Sequence, residues 1–333
     1  MKSFILMAGL LVSSALPSQD GPTSRPAYDP LVLSVNAKVQ RVDLVAKRGA
    51  RDIPILIYSP AGSHVPLPVL VFSHGLGGSR MGCSFLGDHW AARGYAVAFV
   101  QHAGSDEGVW MDLPKWRRFG ALKEAASSEN LKLRTQDIVS VLDALTEWNG
   151  DEGHPLFERL DLEHVGMSGH SFGALTTQMV SGQKSGLFGG KWGEGRIDAS
   201  IALSPSPPQV GSLASAFAEV FVPMLLMTGT NDVSPIGSNN METRTKVFPA
   251  LPETIDRYEL VLDGAEHSAF TDTVLFGENS DPHPNHHRVI LALSTAFWDA
   301  YLLEDKAAQE WLVGAAPRRL MEAADAWQYA RAK

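Results

Sequence analysis

The pentapeptide "GHSFG", Gly169 to Gly173, sets a serine between two glycines. A serine hydroxyl is a poor nucleophile until a base takes its proton. Its productive setting is a sharp strand-to-helix turn. Small flanking residues let the backbone close there, and the oxygen projects above the carboxyl end of a sheet. The surrounding sequence fits that setting. "HVGMSGH" reads as a buried strand, "GALTTQMV" opens a helical pattern, and Ser171 stands at the join. Ser171 is therefore the candidate nucleophile, and acyl transfer the chemistry it suggests.

The base and acid are sought in the order serine, acid, histidine that this turn implies. Seven of the eleven histidines precede Ser171, leaving His267, His283, His286 and His287. His267 lies in "LVLDGAEHSAF", a short loop after the last apolar strand, where an imidazole can reach over the sheet. The other three belong to "DPHPNHHR", which reads as a polar helix start. With no nearby cysteine or firm carboxylate pattern, it makes a poor metal site. Open α/β sheets gather their sites at the strand carboxyl ends. Asp198 and Asp256 precede their strands, whereas Asp232 follows "VPMLLMTGTN" and faces the right end. Asp263, four residues before His267, is the alternate acid, and Glu266 is too close to turn back onto the ring. Charge on a tetrahedral intermediate needs backbone donors. The Phe172 N–H, directly after the serine, is one candidate. The Leu76 N–H, in the glycine-rich loop "FSHGLGGSR", is the other.

These residues need a scaffold that brings separated loops together. "AKVQRVDLV" and "RDIPILIYSP" are alternating runs around a Lys47-Arg48-Gly49 turn, an antiparallel hairpin with one buried face. "LPVLVFSHG", "GYAVAFVQH", "HVGMSGH", "IDASIALSP", "VPMLLMTGT" and "DRYELVLDG" read as further strands. Helical patterns separate them at "SFLGDHWAARG", "ENLKLRTQDIVSVLDALTEW", "SFGALTTQMVSG" and "HRVILALSTAFWDAYLLE". That alternation predicts a mostly parallel central sheet with helices on both faces. Residues 104–128 fit it poorly. Trp110, Met111, Trp116 and Phe119 either line a substrate cleft or pack a surface helix onto the core.

The formal charge of −9 argues against a nucleic-acid partner. The single cysteine, Cys83, cannot form an internal disulfide and is expected to be a small buried hydrophobe. Lys2, the apolar run Phe4 to Val12 and the following small residues read as an export signal over residues 1–18, with Ala15 or Ser18 before the cut. Residues 19–333 then form one α/β domain, secreted or periplasmic, with no transmembrane segment.

"LVFSHGLGGSR", "HWAARGYAVAFVQH", "GHSFGA" and "GAEHSAFTD" resemble the α/β-hydrolase superfamily over nearly all of the mature chain. Within it the chain is most similar to the branch of plasma-type platelet-activating-factor acetylhydrolases, dienelactone-hydrolase-like proteins and bacterial polyester hydrolases. The resemblance implies a serine carboxylic-ester hydrolase that works without a cofactor on a small-molecule, lipid or polymer ester. The plasma-type enzymes take their triad aspartate from the loop after the strand that follows the elbow. Here that loop reads "IALSPSPP" and offers Ser204 but no acid, so the chain resembles the polyester hydrolases, with Asp232 in "TGTNDVSP". Two other readings compete. One is amide or peptide hydrolysis by the same constellation, and the other is ligand binding without catalysis on a hydrolase scaffold.

Overall fold

A computed structural model describes residues 27–33, 38–186, 190–274, 278 and 283–333. The expected export signal lies outside these residues. The sheet is built from β1 (Val39–Arg48), β2 (Arg51–Pro60), β3 (Leu67–Ser73), β4 (Ala96–Val100), β5 (Leu160–His170), β6 (Ala199–Leu203), β7 (Met224–Asn231), β8 (Arg257–Glu266) and β9 (Ala326–Ala330). Their spatial order is β1-β2-β4-β3-β5-β6-β7-β8-β9. From β4 across to β8 neighbouring strands run parallel. The β1–β2 hairpin at one edge and β9 at the other are antiparallel. Every residue of β3, β4 and β6 is buried, as expected for strands covered on both faces.

The helices are α1 (Ser84–Arg93), α2 (Lys115–Ala125), α3 (Ser128–Gly150), α4 (Phe172–Val180), α5 (Leu213–Phe217), α6 (Met241–Arg244), α7 (Val247–Ala250), α8 (Pro284–Leu302), α9 (Lys306–Val313) and α10 (Ala316–Leu320). Leu86 and Trp90 of α1 share one apolar cluster with Phe297 and Trp298 of α8. Ile138, Val141 and Leu145 of α3 pack in another with Val165 and Met167 of β5. Alternation along β5 thus feeds opposite layers. Gly166 points toward α8, where a Cβ would stand 2.7 Å from the Trp298 ring. The strand that carries Ser171 at its end is therefore clamped between α3 and α8.

The hairpin turn sits slightly later than its sequence suggests. β1 runs through Arg48, and Gly49 supplies the positive φ of 59°. β9 carries no strong period in "AWQYA" and forms by pairing with β8. In residues 104–128, Trp110 donates its indole N–H to the Gly77 carbonyl at 2.8 Å, and Leu122 lies against Gly77. Trp116 and Phe119 of α2 are exposed. This segment therefore both buttresses the glycine-rich loop and presents an aromatic surface. Cys83 is buried, its thiol pushed up by burial and directed at the Phe270 carbonyl. His283 caps α8, accepting the Asn285 N–H at 3.3 Å.

Trp298 is fully buried and meets Trp90 edge-on with ring centroids 5.9 Å apart. Trp298→Ala should cost about 3–5 kcal/mol in urea unfolding through the cavity it leaves. An unchanged midpoint would contradict the clamp.

Candidate active site

Ser171 adopts φ 57° and ψ −112°, a conformation that a non-glycine residue holds only when its surroundings enforce it. The surroundings do so on both sides. A Cβ at Gly173 would fall on the Ser73 carbonyl, and one at Gly169 on the Gly173 carbonyl. The Ser171 N–H donates to the Leu203 carbonyl at 2.9 Å, tying the turn to the end of β6. With no Cβ at 169 or 173, α4 starts directly against the end of β3.

Three loops at the carboxyl ends of the strands then converge. His267 begins a 3₁₀ turn after β8, its Nε2 2.8 Å from Ser171 Oγ and its Nδ1 2.6 Å from Asp232 Oδ1. With the Nδ1 hydrogen donated to Asp232, Nε2 is free to accept from the serine. Asp232, directly after β7, is completely buried. It accepts the Thr228 hydroxyl at 2.8 Å and pairs with Arg244 Nε at 3.1 Å. Burial alone would raise its carboxyl. The hydrogen bond and charge of His267, with the Arg244 guanidinium, carry it down instead to about 2. Asp263 lies elsewhere. β8 continues past it to Glu266, and its exposed carboxylate faces the Thr230 hydroxyl at 3.4 Å. The loop after β6 carries no acid; there Ser204, at φ 61°, offers its carbonyl to Arg244 at 2.9 Å.

The glycine-rich loop abuts the elbow. A Cβ at Gly75 would stand 3.6 Å from Ser171 Cβ and 3.2 Å from His170 Nδ1. Phe172 opens α4, so its N–H has no acceptor within the helix. Among the described residues, neither the Leu76 nor the Phe172 N–H is taken up by a backbone carbonyl.

Two contributors carry no sequence signal. His170 is buried and held neutral, its pKa lowered by burial first and by His267 second. Its Nε2 lies 3.0 Å from the His267 carbonyl, bracing the backbone at that histidine. Arg244 of α6 is buried and reaches the Ser204 and Pro205 carbonyls, both at 2.9 Å, besides Asp232. Its Nη2 is 3.4 Å from His267 Nδ1. Both nitrogens carry hydrogens in this tautomer, so the carbonyls and the carboxylate hold the guanidinium. In "NMETRTK" nothing separates such an arginine from a surface one.

The sheet order and the serine turn at the carboxyl edge define the α/β-hydrolase fold. Residues 35–277 match the family model described as platelet-activating factor acetylhydrolase, isoform II, and the chain belongs to that family. A platelet-activating factor acetylhydrolase from Cavia porcellus is 28% identical over 153 residues, covering 38% of this chain and 35% of that protein. The match thus spans about a third of that relative's length.

The depressed carboxyl of Asp232 has a thermal consequence. A group lowered from about 3.9 in the unfolded chain contributes stability that is present above that value and lost as pH falls through its folded pKa. Asp232→Asn should therefore flatten the fall in Tm between pH 4 and pH 2. A parent-like acid slope in that variant would contradict the pairing.

Proposed function

We propose that this protein is a serine carboxylic-ester hydrolase, with residues 1–18 an export signal and residues 19–333 one catalytic domain. His267 takes the Ser171 proton as the oxygen attacks the ester carbonyl. Asp232 orients the imidazole and stabilises its cation, and the Leu76 and Phe172 N–H groups receive the oxyanion. His267 then returns the proton to the leaving alkoxide. Water, activated by the same histidine, resolves the acyl-enzyme. No step calls for a cofactor. The observation that carries this reading is the continuous contact Asp232–His267–Ser171 at 2.6 and 2.8 Å, with the serine on a strained turn.

The family's description makes acetyl esters the first substrates to try. A series of p-nitrophenyl esters from acetyl to palmitoyl, run beside a phospholipid and a polyester film, separates small-ester, lipid and polymer preferences. On the best of these, Ser171→Ala should lower kcat by on the order of 10⁶-fold; an unchanged rate would refute the nucleophile. Asp232→Asn should lose about 10⁴-fold, while Asp263→Asn stays near the parent rate. A larger loss in the second variant would reassign the acid.

A further inference from the structure

We propose that Arg134 is the positioning residue of the oxyanion hole, one buried guanidinium that fixes both of its halves. The inference rests on the assignment of the Leu76 and Phe172 N–H groups as the oxyanion donors. Arg134 stands on α3 and is completely inaccessible to solvent. Its Nη2 donates to the His74 carbonyl and, at 3.0 Å, to Ser73 Oγ, gripping the two residues that lead into the Leu76 loop. Nη1 donates to Ser105 Oγ at 2.9 Å, and the Ser105 carbonyl in turn accepts the Gly77 N–H at 2.8 Å. The loop is therefore held before and after Leu76.

The same side chain reaches the other half. Its Nε donates to Thr176 Oγ1 at 3.0 Å, and the Thr176 hydroxyl donates to the Phe172 carbonyl at 3.0 Å. The guanidinium carbon lies 4.8 Å from the centroid of the Phe172 ring. A planar fork of five donors can serve these acceptors at once, whereas a lysine ammonium has three donors on a single atom.

A second buried relay sets the hydrogen direction. His102 is held down to about 4 by burial first and by the Arg134 charge second, so its ring is neutral. Nδ1 lies 3.0 Å from Asp137 Oδ2 and Nε2 2.9 Å from Ser73 Oγ. Asp137, itself lowered to about 2, accepts two bonds from Arg51 at 2.8 Å, which keeps the imidazole hydrogen on Nδ1. Ser73 must then donate to Nε2, leaving its oxygen lone pair for Arg134. The set Ser73–His102–Asp137 has the form of a nucleophilic triad, but all three side chains are sealed from solvent. It can meet no substrate, and its work is to orient Arg134 and the loop.

The test uses the intact protein, p-nitrophenyl acetate and phenylboronic acid, which forms a tetrahedral adduct on a nucleophilic serine. Arg134→Lys should lower kcat by about 10²-fold, the loss expected for one displaced oxyanion donor. KM should stay within about twofold, and boronate affinity should fall in parallel with kcat/KM. A folded Arg134→Lys protein with parental kcat, or a loss carried by KM alone, would overturn the proposal. If that variant does not fold, Thr176→Val breaks the arm to Phe172 alone, and kcat should fall about tenfold at constant KM; parental kcat there would overturn it equally. A parent protein without esterase activity defeats the underlying functional reading. An active parent whose variants keep kcat defeats the role of Arg134 alone.

Discussion

The site depends on one close approach of backbone to backbone. The Ser73 carbonyl occupies the space that a side chain at position 173 would need, and the Gly173 carbonyl occupies that of position 169. The start of α4 can therefore press against the end of β3, which forces Ser171 into its positive-φ turn and lays the glycine-rich loop beside it. Holding a serine in that region costs about 1–3 kcal/mol, and such a cost persists only where neighbouring structure over-determines the backbone. Here β3, β5 and β6 lie side by side beneath it, and the Ser171 N–H is bonded across to Leu203.

Around this contact the protein buries charged side chains. Buried Arg134 holds the start of the glycine-rich loop and Asp137 holds His102 behind it, while buried Arg244 and Asp232 pair beside His267. Buried ion pairs contribute little net stability, because desolvation offsets most of the attraction, yet removing one partner is costly. Their value here is geometric. Arg244 ties the loops after β6 and β7 to one point, and Arg134 ties the loop after β3 to the first turn of α4. His170, between them, touches both the glycine-rich loop and the backbone of His267. The serine is thus surrounded by the loops after β3, β6, β7 and β8, each held by a buried polar side chain.

Much of this was legible in the sequence. Strands buried on both faces appear as unbroken apolar runs, and a nucleophile turn needs glycines at fixed offsets. Both signals are local. Asp232 is distinguished from Asp263 by the strand ends that precede them: Asp232 leaves the carboxyl end of β7 and meets His267, while β8 extends beyond Asp263. Long-range polar partnerships were not legible. Arg134 lies in a helix whose charged residues mostly face solvent, and only the tertiary fold turns it inward toward Ser73 and Thr176. β9 leaves no strand signal for a related reason, since none of its five residues is buried, three are exposed, and its register comes from β8.

Fluorophosphonate labelling of the folded protein at neutral pH, followed by peptide mass mapping, tests most directly whether Ser171 is an activated nucleophile rather than a serine in a tight turn. A single stoichiometric adduct on the peptide that contains Ser171, lost on denaturation before labelling, is the result predicted. An unlabelled protein, or an adduct on another residue, would contradict it.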